Sequence, residues 1–233
     1  MGYGVNSNII RDGLIFYVDA ANGKSYAKSG TDLNDIISNI DGTLVNGVGY
    51  DTDNLGSFVF DGVDDYIDMS SYNFGVGECT ISCWIFHTRA ATNVADGIIS
   101  KSASGKREFF LRIEGAGSPN AEGLYLWKSP TGTGAGNIFV TGVTVPLNEW
   151  QNVVVTVNST NVEFYLNGVN VKSYSGSYTL FNGDAPFRIG NWVENAGFGY
   201  DFQGDISNIS YYTRALSSTE VLQNYNALKH RYV

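Results

Sequence analysis

Proline, cysteine and histidine are all scarce in this chain, at 4, 2 and 2 of 233 residues. Cys79 and Cys83 stand four apart in a strand-like run, so their Cα atoms lie about 13 Å apart, beyond the roughly 7 Å reach of a disulfide. They are read as free thiols on one face. His87 and His230 have no serine or cysteine placed beside them by any pattern, which leaves a catalytic triad without its parts. Charge is also sparse: 16% of residues are charged, 14 basic against 23 acidic, for a formal charge of −9. The densest basic stretch, Lys101 to Arg112, is interrupted by Glu108 and apolar neighbours, so a nucleic-acid footprint is excluded. No apolar run approaches the roughly 18 residues of a membrane span. Leu14 to Val18 is only five residues long, follows Asp12 and a single Arg11, and does not read as a secretory leader. Met1-Gly2 is followed by Asn6 where myristoylation needs Ser or Thr.

What the chain has in quantity is Gly, Tyr and Phe, at 28, 15 and 13 residues, a balance suited to many strands joined by tight turns. The clearest pattern runs from Trp150 to Lys172. Val153, Val155 and Val157 alternate with more polar positions, as do Val162, Phe164 and Leu166, and Asn167-Gly168 suits a two-residue type I′ turn. The reading is three antiparallel strands, with Val169 and Val171 folding back against Leu166 and Phe164. Further strands are expected at Gly13–Ala20, Thr43–Val45, either side of an Asp61-Gly62 turn within Ser57–Met69, Cys79–His87, Gly97–Lys101, Glu108–Glu114, Gly123–Ser129, Ser177–Phe181, Phe187–Trp192 and Gly204–Tyr212. Thr131 to Asn137 superficially resembles a phosphate loop, but it lacks the Lys-Ser/Thr ending and reads as a hairpin tip. Ser217 with Glu220 forms a capping-box signature for one terminal helix whose apolar face is Val221, Leu222, Tyr225 and Leu228. The fold expected is an all-β, two-sheet antiparallel jelly-roll sandwich with a short C-terminal helix. Residues 1–12 form an N-terminal arm that orders on a partner, and residues 13–233 form one domain.

Several segments, taken in order, resemble the laminin-G-like, concanavalin A-like jelly-roll family. They are Phe58 to Ile67, Thr80 to Trp84, Ile98 to Lys101, the Trp150 to Val171 meander, Arg188-Ile189-Gly190, and Gly204 to Ile206 through Tyr212 to Ser217. Two departures from the family are Leu33, where an early-loop tryptophan is usual, and Ser207, where many members place an aspartate. The opening Asp12 to Asn22 with Ser25-Tyr26, and the ending Glu220 to Lys229, are similar to the version found in structural proteins of tailed bacteriophages. That resemblance implies a non-enzymatic virion structural protein, a capsid decoration or tail-fibre component, made in the host cytoplasm and displayed on the particle surface. Its partners are then other virion proteins, further copies of itself and a host-surface glycan, with no nucleic acid and no membrane insertion. The competing readings are a carbohydrate-binding adhesin and, third, a glycoside hydrolase.

Glucanases of the resembling fold use two carboxylates on one strand, held about 5–10 Å apart. Their spaced Glu-x-Asp-x-Glu pattern is absent here, so no catalytic residue is assigned. The acidic run Asp61, Asp64, Asp65 and Asp68 surrounds a turn instead. Clustered carboxylates with turn carbonyls suit Ca²⁺, and the resemblance implies a structural calcium near this segment, with Asp64, Asp65 and Asp205 as ligands. The plainer alternative is that Asp61 caps the turn and the others are solvated. No other cofactor is expected. Trp127, Trp192, Phe198 and Tyr200, with Tyr125, can offer flat apolar faces to sugar rings, and the loop Asn191 to Phe202 is the expected exposed aromatic patch. Core packing of the same rings is the alternative.

Overall fold

The computed structural model describes residues 8–232 except 39, 70, 71, 76, 91, 93, 104, 120, 134, 135, 177–180, 182, 196 and 197, and the backbone alone at 193–195, 198 and 199. Among these the chain forms β1 (Leu14–Asp19), β2 (Asp32–Asn34), β3 (Asp41–Val45), β4 (Gly49–Asp51), β5 (Ser57–Asp61) and β6 (Tyr66–Asp68). There follow β7 (Cys79–His87), β8 (Asp96–Ala103), β9 (Lys106–Ile113), β10 (Gly123–Lys128), β11 (Asn137–Thr144) and β12 (Trp150–Val157). The remaining elements are β13 (Asn161–Leu166), β14 (Val169–Ser175), β15 (Phe187–Ile189), β16 (Asn191–Asn195), β17 (Phe198–Asp201), β18 (Gln203–Tyr212) and helix α1 (Ser218–Leu228).

Two antiparallel sheets face each other. The first has the order β14-β13-β12-β7-β18-β5-β4, the second β11-β10-β9-β8-β15-β6-β3-β2, and β16 and β17 make a separate hairpin. In the first sheet β18 pairs with β7 along one edge, while its other edge is shared by β5 and β1. The inner faces supply the core: Cys79, Ile81, Cys83 and Ile85 of β7 and the alternate valines of β12 meet Phe109, Leu111, Leu124 and Leu126 of the second sheet. Burying each large apolar side chain contributes roughly 1.5–3 kcal/mol. Both cysteines are buried and unbridged, as the strand spacing required. Outer-face residues of β7, including Trp84, are buried as well, because α1 and the C-terminal turn cover them.

The meander at Trp150 follows the expected register, with Val153, Val155 and Val157 opposite Leu166, Phe164 and Val162. Asn167 and Gly168 both have positive φ, 51° and 78°, as a type I′ turn demands. One detail differs: a bulge pairs Phe164 with Lys172, so Val171 does not face it. The strands flanking Asp61-Gly62 lie in different sheets, β5 in the first and β6 in the second, so this turn carries the chain across the sandwich. The single strand expected over Phe187–Trp192 breaks at Gly190, where φ is +81° and a Cβ would sit 2.2 Å from the Phe60 ring. β11 was not anticipated, because exposed Ile138 and Val143 blur its alternation. Of the strand expected over Ser177–Phe181, residues 177–180 lie outside the described ones.

Helix α1 opens on the full capping box, Ser217 accepting from the Glu220 N–H while the Glu220 carboxylate accepts from Ser217. Its buried positions are Val221, Asn224 and Ala227, whereas Leu222 is 44% exposed. The helix faces the sheet one step round from the expected stripe because Asn224 is needed inward: its Oδ1 accepts from Ile10 N at 2.7 Å and its Nδ2 donates to Tyr212 at 3.0 Å. The described part of the arm, residues 8–12, is therefore bound to the chain's own helix and β18, with Asn8 O accepting from Gln223 and Ile10 O from Tyr212. Among the described residues no helix is long and apolar enough to cross a membrane.

Candidate functional site

Period-2 alternation sends Phe109, Leu111, Leu124 and Leu126 into the core and leaves Phe110, Arg112, Tyr125 and Trp127 on the outer face of the second sheet. Register aligns them in two rows. Trp127 stands opposite Phe110, and Tyr125 opposite Arg112; Ile138 of β11 extends the first row. The β16/β17 hairpin then lies over β8, adding Trp192 and, paired with it, Tyr200. Gly97 permits this approach, since a Cβ there would meet Tyr200 O at 2.5 Å and Trp192 N at 2.8 Å. Ser100 Oγ fixes it by donating to Asn191 O at 2.8 Å.

The rings stand in a near-parallel stack. Trp192 lies 3.9 Å from Phe110 and 4.7 Å from Tyr200, at interplanar angles of 24° and 8°. Trp127 and Tyr125 stack on Phe110 at 5.4 and 5.9 Å. The Arg112 guanidinium lies 4.2 Å from the Tyr125 ring centre, 5.0 Å from Tyr200, 5.1 Å from Trp192 and 5.4 Å from Phe110, a desolvated cation–π arrangement. Glu114 holds that guanidinium, accepting from its Nε at 2.7 Å and Nη2 at 2.6 Å. The stack edge opens into a concavity of about 260 Å³ rimmed by Arg107, Arg112 and Ile138. No carboxylate lines it among the described residues. Trp192 Nε1 is buried without an acceptor, an unmet donor of the kind that normally costs about 1–3 kcal/mol.

Of the four aromatic residues expected to bind sugar, the structure brings together Trp127, Trp192 and Tyr200; Phe198 lies in β17, with its side chain outside the described ones. The expectation of flat exposed faces needs correction for Trp127, which is buried at 6% exposure against Phe110, and for Trp192. Both faces of Trp192 are taken by Phe110 and Tyr200, and only 4% of it is exposed. Tyr125 and Tyr200, half-buried, carry the accessible ring surface. Phe110 and Arg112 were missed by sequence reading, although their alternation with three core residues in β9 is a signal that could have found them.

A second cluster sits at the Asp61 turn. Carboxylate oxygens of Asp61, Asp64 and Asp65 lie within 4.8 Å of one another. Asp61 Oδ1 accepts from Val63 N at 2.8 Å, and Asp65 Oδ2 from Asp61 N at 3.0 Å. Asp65 is buried and its Oδ1 has no partner; burial pushes its carboxyl above the usual carboxylate range, with the charges of Asp61 and Asp64 adding to the rise. An unmet buried oxygen facing two further carboxylates fits a hard cation, which takes 6–8 oxygen ligands. Asp205 does not join them. Gln203, not Asp205, stands opposite Asp61 on β18, and the Asp205 carboxylate accepts from Ser57 at 3.1 Å. Ser207 is likewise engaged: it donates to Gly56 O at 2.7 Å and accepts from Arg231 at 2.9 Å. Arg231 in turn makes a double bond-pair with Asp19 at 3.0 and 3.1 Å, so a guanidinium neutralises Asp19 at this position.

Arg89 links the acidic turn to the hairpin. Its Nη2 donates to Gly62 O at 3.1 Å and Asp201 O at 2.7 Å, while its Nε donates to Asp96 at 2.8 Å. Asp96 also holds buried His87 at 3.1 Å, which gives that histidine a structural role. Asp201, bonded to Asn191 beside Trp192, is pushed up by burial and by the Asp64 and Asp61 charges.

A family model described as the concanavalin A-like lectin/glucanases superfamily matches residues 61–222. The chain belongs to the concanavalin A-like lectin/glucanase superfamily. No curated protein matches it. Among solved structures, domain 4 of AbnA, a GH43 extracellular arabinanase from Geobacillus stearothermophilus in complex with arabinotriose, superposes with a TM-score of 0.68 at 20% identity, covering 91% of this chain and 98% of that one. The binding domain of Paraclostridial Mosquitocidal Protein 1 gives 0.67 at 14% identity, over 91% of this chain and 52% of that one. A Trypanosoma rangeli sialidase mutant displaying trans-sialidase activity gives 0.67 at 13% identity, over 95% and 34%. At these identities the likeness is one of fold. Within this concanavalin A-like domain, Leu33 is fully buried in the core.

Proposed function

We propose that this concanavalin A-like domain is a non-enzymatic carbohydrate-binding module displayed on a tailed-bacteriophage particle. The observation that supports glycan binding is the concavity over the Trp192 stack, which combines ring surface from Tyr125 and Tyr200 with the cationic donors Arg107 and Arg112. Sugars offer C–H faces to rings and oxygens to donors, so the two halves of the site match the two halves of a sugar. Hydrolysis needs an acid and a second carboxylate astride the bond. Among the described residues no carboxylate lines the concavity, and Glu114, the partner of Arg112, is held in that ion pair, which supports binding without cleavage.

The particle half of the reading rests on the two ends of the chain, whose sequences resemble phage virion proteins, and includes further virion proteins and copies of itself as partners. A structural Ca²⁺ at Asp61, Asp64 and Asp65 belongs to the same reading; bound there it would offset the repulsion among the three carboxylates and stiffen the turn that Arg89 joins to the hairpin.

A glycan array followed by calorimetry on the best hit tests the binding half. Tyr125→Ala and Tyr200→Ala should each weaken binding about tenfold or more, equal to about 1.4 kcal/mol, while the fold stays intact by circular dichroism. An empty array with and without calcium sinks it. Finding the chain in stoichiometric amount on purified phage particles checks the display half, and its absence there removes it.

A further inference from the structure

Most cations of this acidic chain are engaged in ion pairs or lie over rings. Arg11 and Lys24 differ: among the described residues neither side chain has an acidic, aromatic or hydrogen-bonding partner. Both border the same concavity of about 440 Å³, between the docked arm and the turn before β3, which lies within the roughly 300–1,000 Å³ of small-molecule pockets. Its apolar lining is mainly aliphatic, from Ile9, Leu14, Ile36 and Ile37, with Tyr17 and Asn22 beside them, and Ile37 is 44% exposed. The nearest carboxylates in sequence are used elsewhere. Asp12 pairs with Arg214 at 2.9 Å, and buried Asp35 accepts from the backbone N–H groups of Tyr17, Ile37 and Ser38. Two uncompensated cations over a mainly aliphatic cup, in a chain of formal charge −9, make a local reversal of field that attracts an anion and an apolar surface that retains its carbon skeleton.

We infer that this concavity binds a carboxylate carried on an aliphatic body, the anion between Arg11 and Lys24 and the carbon chain against Leu14, Ile36 and Ile37. That chemistry is offered both by the free C-terminal end of an aliphatic peptide and by a short fatty acid. The inference is independent of the glycan site, sharing no residue with it.

The test is a calorimetric titration of the full chain with acetyl-Leu-Leu and its C-terminal amide, and with hexanoate and hexanamide. The acids should bind, their affinity falling as salt rises through screening of the exposed cations, and the amides should bind about tenfold more weakly or not at all, tenfold being 1.4 kcal/mol. Arg11→Gln and Lys24→Gln should each weaken the acids several-fold with an unchanged Tm, since both side chains are exposed. Ile37→Asn should weaken acid and amide alike and leave the salt dependence in place. Tighter binding of the peptide acid assigns a polypeptide end, and tighter binding of hexanoate assigns a free acid; either upholds the site. Equal binding of acid and amide, acid binding unchanged in the Arg11→Gln/Lys24→Gln double variant, or no binding of either acid overturns it.

Discussion

Each sheet carries a tryptophan stack on its outer face, and the two have opposite fates. On the first sheet Trp84 lies 4.1 Å from Tyr232 and 5.6 Å from Tyr225. On the second, Trp192 lies between Phe110 and Tyr200 at 3.9 and 4.7 Å. Both indole Nε1 atoms are buried without a partner. The difference is the cover. Trp84 is closed over by α1 and the last turn of the chain, fastened through Arg231 and Asp19, whereas the Trp192 stack is covered only by its own hairpin and opens at one edge beneath Arg112. Stacked rings alone therefore do not mark a site, and the reading proposed for the second stack rests on its open edge and the donors beside it.

If that contrast is right, Trp84→Ala should be the most damaging change, costing about 3–5 kcal/mol by urea denaturation, because the covering helix loses its seat. Gly97→Val should cost about 1–3 kcal/mol through the clash with Tyr200 O and Trp192 N, and it should also abolish ligand binding by lifting the hairpin. A variant that binds normally would break the link between hairpin position and site.

The cover over Trp84 has a pH signature. Arg214 beside Glu220, with bonds from Ser217, holds the Glu220 carboxyl down to about 2. A depressed folded pKa means the contribution is present above the usual glutamate range near 4.5 and lost as pH falls from there toward 2. After allowance for partial exposure it amounts to about 1 kcal/mol. The Tm should fall over that window, and Glu220→Gln should be less stable at neutral pH with a flatter acid limb. Smallest of all, Leu222→Ser should change stability by less than about 0.5 kcal/mol, as for other exposed positions, while Val221→Ser on the same helix should cost several times more.

Those two helix positions show how far local pattern reaches. The capping box at Ser217 and Glu220 was legible because its partners are three residues apart, but which stripe faces inward was not, because Asn224 is drawn in by Ile10 and Tyr212 from distant parts of the chain. Cys79 and Cys83 could be read as free thiols from strand rise alone. The acidic turn was legible as a cluster, yet its membership was not: Asp61 and not Asp205 lies beside Asp64 and Asp65, since only the β5–β18 register shows Gln203 opposite Asp61. Phe110 and Arg112 were overlooked for a related reason: alternation says they leave the core, but not that Trp192 and Tyr200 arrive from across the sequence to meet them.

The sequence by itself determined an all-β sandwich, its central meander with the Asn167-Gly168 turn and the capped terminal helix. These depend on alternation, φ preferences and composition, which act between near neighbours. Only the tertiary structure decided which outer face the chain covers for itself and which it leaves open, and that Gly97 lets a hairpin settle beside Arg112. Such choices are made by strand order and close backbone approach, through contacts between residues far apart in the chain whose pairing no local pattern encodes.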